Sequence, residues 1–305
     1  MTPTQAPPLA RGVWGVVATP FHGPAAELDR TSLIRLVQHY VTIGATGLTV
    51  LGVFGEAGSL NADERAQVLE TVAANTPLPI VAGVTALSTA PAIDEIATIH
   101  RAIGTRAVAA MVQINSADPD VVIGHLQTIH AATGSAIVLQ DYPVASGVSI
   151  STDNVIRIVA ACPFISAVKA EAPPTAAAIA RIAATTTASV FGGLGGQSLL
   201  DELAAGSAGA MTGFSFPEAL VECVSSWLAK DRDRAVRALT PYLPLVNFEQ
   251  QPRIALALRK DLFARRGLFS ERTVRAPAHP FPEQLDALAA QHLTRANAIG
   301  RAEER

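Results

Sequence analysis

Short β-branched runs alternate with amphipathic segments along the whole chain. The runs predict strands beginning near Val13 (VWGVVAT), Gly47 (GLTVLGV), Pro79 (PIVAGV), Ala107 (AVAAMVQ), Ala136 (AIVLQDY), Ile165 (ISAVKAE), Ser189 (SVFGG) and Gly209 (GAMTG). Successive starts lie 34, 32, 28, 29, 29, 24 and 20 residues apart, the length of a βα unit repeated eight times. Helix starts fall between the strands. Asp29 precedes TSLIRLVQHYV, Asn61 to Glu64 reads as a capping box, and Ser88, Asp118, Ser151 and Asp153 open the next three helices. After the eighth strand, helices are predicted over 217 to 230, 233 to 243, 251 to 266 and 282 to 301. No Gly-, Ser- or charge-rich linker divides the chain. The pattern predicts a (β/α)8 TIM barrel over 13–230, an N-terminal extension over 1–12, and a helical region packed on the barrel over 231–305. A site is expected at the C-terminal ends of the strands.

Composition agrees with this pattern. Of the 305 residues, 49% are hydrophobic and 16% charged, and the mean hydropathy of +0.31 fits strands buried on both faces under helices. Aromatics at 5% and a net charge of −3 provide neither a stacking platform nor a basic field, so nucleic acid is not an expected partner. Cys162 and Cys223 show no metal or disulfide spacing and fit packing roles in a reducing compartment. The opening MTPTQAPPLARG lacks the charged-then-apolar order of a signal peptide. The uncharged run from 71 to 93 is broken by Asn75, Pro77, Pro79, Gly83 and Pro91. No membrane association is expected, and the chain reads as cytoplasmic.

Charge usage singles out one residue. Of 23 basic residues only Lys169, Lys230 and Lys260 are lysines. Lys230 in AKDRDR and Lys260 in LRKDLFARR read as solvated positions on charged helices. Lys169 instead interrupts the apolar sixth strand, FISAVKAEA, where a buried ammonium is costly unless it is paired or functional. Strand alternation puts Lys169 and Glu171 on one face, and Val168 and Ala170 on the other, which packs on helices. A lysine held out of water can offer a neutral amine to a ketone and form an imine that serves as an electron sink. A neighbouring carboxylate favours the ammonium. That tension eases if Glu171 acts mainly once the imine exists, by moving protons. A structural Lys–Glu pair is the alternative reading.

The turn after the second strand, GVFGEAGSLNADE (52 to 64), offers the amides of Val53, Phe54 and Gly55 to an anion such as a carboxylate, or is simply a tight βα turn. FGGLGG (191 to 196) and MTGFSFP (211 to 217) place small residues around the mouth, among them Gly193, Met211 and Thr212.

These segments resemble the dihydrodipicolinate synthase / N-acetylneuraminate lyase family of class I, Schiff-base lyases. The likeness is nearly full length: VVATPF (16 to 21), GVFGEAGSLNADER (52 to 65), IVLQDYP (137 to 143), AVKAE (167 to 171) and FGGLGGQSLLDELAAGSAGAMTG (191 to 213). It implies a TIM barrel, an imine on Lys169, a small-molecule 2-oxo acid substrate, no metal or other cofactor, and a homo-oligomer, either tetramer or dimer. Several family positions differ. The usual GTTGE threonines are Val53 and Phe54, the fifth-strand tyrosine is Gln140, the tyrosine lent across a subunit interface is Ile114, and the arginine after the YNVP motif is Ala145. Tyr142, two residues beyond Gln140, could point the same way as the missing tyrosine. Dihydrodipicolinate synthase activity is therefore not expected. QDxP, a Lys-x-Glu sixth strand, GAMTGxxFP and the tail segment YLPLVNFE (242 to 249) are similar to the branch containing 2-keto-3-deoxy-L-arabinonate dehydratase.

The resemblance implies dehydration of a 2-keto-3-deoxy sugar acid. The carboxylate would sit on the amides around Val53 to Gly55, Lys169 would condense with C2, and Glu171 would take a C3 proton. Glu171 recycled, Tyr142 or a water would return a proton to the departing C4 hydroxyl, and Gln140 would bond substrate hydroxyls. One alternative is a pyruvate-releasing retro-aldolase acting on a 2-keto-3-deoxy or 4-hydroxy-2-oxo acid. Another is a barrel that binds 2-oxo acids without turnover. A metal-dependent aldolase finds no HxH or HExxH among the seven histidines, and His125 and His130 are five apart on one predicted helix.

Overall fold

The computed structural model describes residues 5–303, so residues 1–4 of the N-terminal extension lie outside the described part. Eight parallel strands close into one barrel. In chain order they are Gly12–Val16, Gly47–Val50, Ile80–Gly83, Ala107–Gln113, Ile137–Asp141, Ile165–Ala170, Ser189–Gly192 and Gly209–Thr212. The first strand closes the ring by pairing with both the second and the eighth. Helices run between the strands from Arg30–Thr42 to Leu199–Ala204, and Pro217–Leu228 follows the eighth. The predicted starts hold to within a residue because each strand is a buried apolar run bounded by turn residues. Asp29 and Ser151 cap their helices through the side chain, and Asn61 with Glu64 forms the reciprocal capping box.

Alternation divides the core. Trp14, Val16, Val81, Ala109, Met111, Val138, Ala167, Phe191 and Met211 fill the barrel interior. Val112, Leu139, Val168 and Ala170 face the surrounding helices. The lower end of the interior is sealed by the N-terminal extension. Leu9 packs into the interior cluster, its amide donates to Ser166 O (3.3 Å), and its carbonyl accepts from Ser189 Oγ (2.6 Å). Polar side chains on inward positions therefore gather at the opposite end.

Three features differ from the sequence expectations. A short antiparallel pair, Phe21–His22 with Glu27–Leu28, follows the first strand. The tail is cut more finely than its periodicity suggests, into Arg232–Leu239, Leu243–Glu249, Ala255–Arg265 and Asp286–Glu303. Pro241 and Pro244 interrupt the apolar period and start new turns. Lastly, Lys260 is not a solvated residue. It is fully buried, donates to Glu56 and to Thr273 O (3.0 Å), and lies 4.3 Å from the centre of the Phe21 ring. Burial lowers its pKa to about 8 against the pull of Glu56. Lys230 is exposed, as its sequence context suggests. Among the described residues no helix is long and apolar enough to cross a membrane.

Candidate active site

Lys169 lies one pleat above Ala167 on the inward face of the sixth strand, in register with Gln140 on the fifth strand and Phe191 on the seventh. Glu171 follows the last strand residue, and its amide donates to Asp141 O at 2.9 Å, which fixes the chain at the barrel rim. The Glu171 carboxylate then turns inward. Its Oε2 lies 3.2 Å from Lys169 Nζ and accepts from Gln140 Nε2 at 2.7 Å. All three side chains are buried, so amine, carboxylate and amide meet away from bulk water and their mutual attraction is weakly screened.

These groups line a cavity of about 190 Å³ at the C-terminal end of the barrel, together with Tyr142, Phe54 and Thr212. Val53 lines it as well, with Gly195, Gln250, Leu256 and Arg259 closing the far side. A wider vestibule of about 720 Å³ shares Val53, Gln140 and Leu256 with it, and Ala145 stands on its wall. Burial raises the Tyr142 phenol above its ordinary value, as does the Glu171 charge, while Arg259 pulls it back.

The turn after the second strand narrows its own anion-binding potential. The Gly55 amide is taken by Gly52 O (3.0 Å), the Glu56 amide by Val53 O (3.1 Å), and Gly55 O accepts from Thr19 Oγ1 (2.7 Å). Gly55 thus lies outside the cavity lining, which Val53 and Phe54 join, and the turn's own bonds leave the Val53 and Phe54 amides unused. Glu56 stands in the left-handed region with φ 50°, anchored by Lys260 and by the Arg275 amide (2.9 Å), so the tail holds this turn in place.

Two further predicted residues do not reach the cavity. Met211 is fully buried in the barrel interior below it. Gly193 sits behind Glu171, where a Cβ would stand 2.2 Å from Glu171 Oε1. Its contribution is room for the carboxylate. Thr212 does line the cavity, and its Oγ1 accepts from the Gly195 amide at 2.7 Å. Ile114 is wholly buried between barrel and helices.

Sequence reasoning missed the tail's contribution. Arg259, Gln250, Leu256 and Ala255 come from the helix Ala255–Arg265 and the turn before it. It also missed two buried acids next to Glu171. Asp141 is raised to about 6 by burial and by the Glu171 charge. Glu202 is raised to about 7, first by burial, and its Oε1 accepts from Thr175 Oγ1 at 2.6 Å. Among the described residues no three His, Cys, Asp or Glu side chains gather as a metal-holding group.

The chain is similar to known proteins over nearly its whole length. The model of the dihydrodipicolinate synthetase family matches residues 9–296. An L-2-keto-3-deoxyarabonate dehydratase of Azospirillum brasilense is 28% identical over 286 residues, 90% of each chain. A Coccidioides immitis protein bearing the name of a mitochondrial 4-hydroxy-2-oxoglutarate aldolase is 29% identical over 234 residues, 74% of each chain. The crystal structure of dihydrodipicolinate synthase from Rhodopseudomonas palustris superposes with a TM-score of 0.87 at 27% identity, covering 95% of this chain and 99% of that one. With the family model matching residues 9–296 and the whole fold superposing on a family synthase, the chain belongs to the dihydrodipicolinate synthetase family, whose members are Schiff-base lyases of 2-oxo acids.

Proposed function

We propose that this protein dehydrates a 2-keto-3-deoxy sugar acid through an imine on Lys169. The observation that carries the reading is the buried contact of Glu171 with both Lys169 Nζ and Gln140 Nε2. A carboxylate 3.2 Å from the amine can accept its proton before attack, then stands beside C2 and C3 of the bound substrate.

The substrate carboxylate rests on the Val53 and Phe54 amides. Lys169 Nζ adds to C2, and the carbinolamine loses water to give the iminium. Glu171 removes a proton from C3, and the electron pair forms the enamine. The enamine then expels the C4 hydroxyl, which leaves as water with a proton from Glu171 or Tyr142. Hydrolysis of the unsaturated iminium returns the Lys169 amine and a 2-oxo acid one water poorer than the substrate. Gln140 holds Glu171 in place and offers its amide to substrate hydroxyls.

The similarity to the Azospirillum dehydratase supports this substrate class. The positions where the family's synthases carry hydroxyls, a phenol and an arginine are Val53, Phe54, Gln140 and Ala145 here, which argues against the synthase reaction. A second reading is cleavage of C3–C4 with release of pyruvate from the same imine, and the similarity to a protein named as an aldolase favours it. Incubation with 2-keto-3-deoxy acids and product analysis by mass spectrometry separates the two. Dehydration gives one product that keeps every substrate carbon, and pyruvate plus an aldehyde would replace the proposal with the aldolase reading. As a family member the chain is further read as a homo-oligomer that needs no metal.

A further inference from the structure

Arg259 brings a buried guanidinium to the Lys169 cavity with one nitrogen unbonded. The residue is 8% exposed; its Nε donates to Glu249 Oε2 at 3.3 Å, while its Nη2 is buried with no acceptor. Glu249 is itself fixed by Ser215, whose amide donates to Oε2 at 3.2 Å and whose hydroxyl donates to Oε1. One edge of the guanidinium is thus held from behind, and Nη2 is left over. An unpaired buried donor on a cation carries a desolvation cost that an anionic acceptor removes.

Two observations fix which part of a substrate this nitrogen meets. The first is its contact with the turn after the second strand: the Arg259 guanidinium carbon lies 5.1 Å from the centre of the Phe54 ring, within cation–π range. Phe54 is in turn pinned over Gly213, where a Cβ would stand 2.4 Å from the ring. The second is the way the cavity opens. It meets the vestibule across Val53, Gln140 and Leu256, whereas Phe54, Arg259, Lys169 and Glu171 line the inner cavity alone. A 2-oxo acid with C2 at Lys169 sends its longer end out through that opening and keeps its short end, the C1 carboxylate, inside with Phe54 and Arg259.

That carboxylate needs a cation here. Val53 and Phe54 bring amides to the turn but neither a hydroxyl nor a charge, and Glu171 in the same cavity repels a second anion. We infer that Arg259, supplied from outside the barrel by the helix Ala255–Arg265, binds the C1 carboxylate through Nη2 and so selects anionic 2-oxo acids over neutral ketones. A guanidinium suits the task because it stays charged when buried and offers planar donors to a carboxylate. The inference rests on the imine reading above for the placement of C2.

The test is borohydride trapping on Lys169 as a function of ketone concentration, with pyruvate and with hydroxyacetone, which is pyruvate with its carboxylate replaced by an alcohol. Arg259→Met leaves Glu249 buried without its cation, so the charge-balanced pair Arg259→Met with Glu249→Gln is measured, and Arg259→Lys, which keeps a cation for Glu249, is measured beside it. Wild-type protein should be trapped at lower concentrations of pyruvate than of hydroxyacetone. In the double variant the half-saturating pyruvate concentration should rise by about 10- to 100-fold, the usual worth of a hydrogen bond to a charged group, while that of hydroxyacetone holds. Arg259→Lys should shift pyruvate in the same direction. Absence of a pyruvate adduct in the wild type would overturn the imine reading. Normal trapping in the wild type with an unchanged half-saturating pyruvate concentration in both variants, or with equal losses for the two ketones, would overturn the role of Arg259 alone.

Discussion

Gly193 makes room for Glu171: a Cβ at position 193 would stand 2.2 Å from Glu171 Oε1, closer than any real contact allows. Gly193→Ala should therefore push the carboxylate off Lys169 and Gln140 while leaving the barrel intact. Displacement of a reacting group by about 1 Å can cost about 100-fold in rate. The expected result is a fall in kcat of that order in protein that keeps the wild-type circular dichroism spectrum. Full activity in this variant would show that Glu171 need not stand where the structure has it.

Glu171→Gln should separate imine formation from turnover. The amide cannot take the C3 proton, so turnover should drop by about 100- to 10,000-fold, the range for loss of a positioned acid–base group. Trapping with pyruvate and borohydride should survive. Gln140→Leu should give a milder version of the same result, because it removes the 2.7 Å donor that holds the carboxylate. An unchanged rate in Glu171→Gln would remove this residue from the proton chemistry.

Glu202 gives a pH signature in stability. Its carboxyl is raised from 4.5 to about 7 by burial first and then by Glu171 and Asp201. The folded state thus binds more protons than the unfolded chain between those values, and stability attributable to this group is lost as pH rises across the window. Glu202→Gln keeps the oxygen that accepts from Thr175 and cannot ionise. The variant should match wild type near pH 4.5 and exceed it by about 1 to 3 kcal/mol near pH 8, because one proton held across each pH unit of the window is worth about 1.4 kcal/mol. Denaturant titrations at the two pH values measure this, and a difference independent of pH would contradict it.

Lys260 and Glu56 form a buried pair that ties the tail to the turn carrying Val53 and Phe54. Lys260→Met leaves the Glu56 charge with only the Arg275 amide on its other oxygen, and should cost about 3 to 5 kcal/mol. Adding Glu56→Gln should recover part of that loss. If the single variant unfolds at the wild-type denaturant midpoint, the pair does not hold the turn.

The barrel was legible in the sequence because parallel strands buried on both faces appear as isolated apolar runs at βα spacing, and capping residues mark the helices between them. Lys169 and Glu171 were legible for the same reason, since charge inside such a run has no bland environment. The tail was not. Leu258, Arg259, Lys260 and Asp261 are all buried on one short helix, so its charged residues face inward toward Glu249, Glu56 and Arg272 and erase the usual apolar stripe. Taken locally, LRKDLFARR has the look of a solvated surface. The one available signal was the scarcity of lysine, which marked Lys169 and applied equally to Lys260. Gly193 and Met211 could not be assigned without register, because one residue's difference in position decides between lining the cavity, supporting Glu171 and filling the barrel below.

The central claim is that Lys169 forms the imine, and the most direct measurement is borohydride reduction in the presence of pyruvate followed by peptide mass spectrometry. A reduced pyruvyl adduct should appear on the peptide containing Lys169, and none on Lys230 or Lys260. It should vanish in Lys169→Ala protein that retains the wild-type circular dichroism spectrum. Absence of an adduct on Lys169 under conditions that trap a control Schiff-base lyase, or an adduct that persists in Lys169→Ala, would contradict the account.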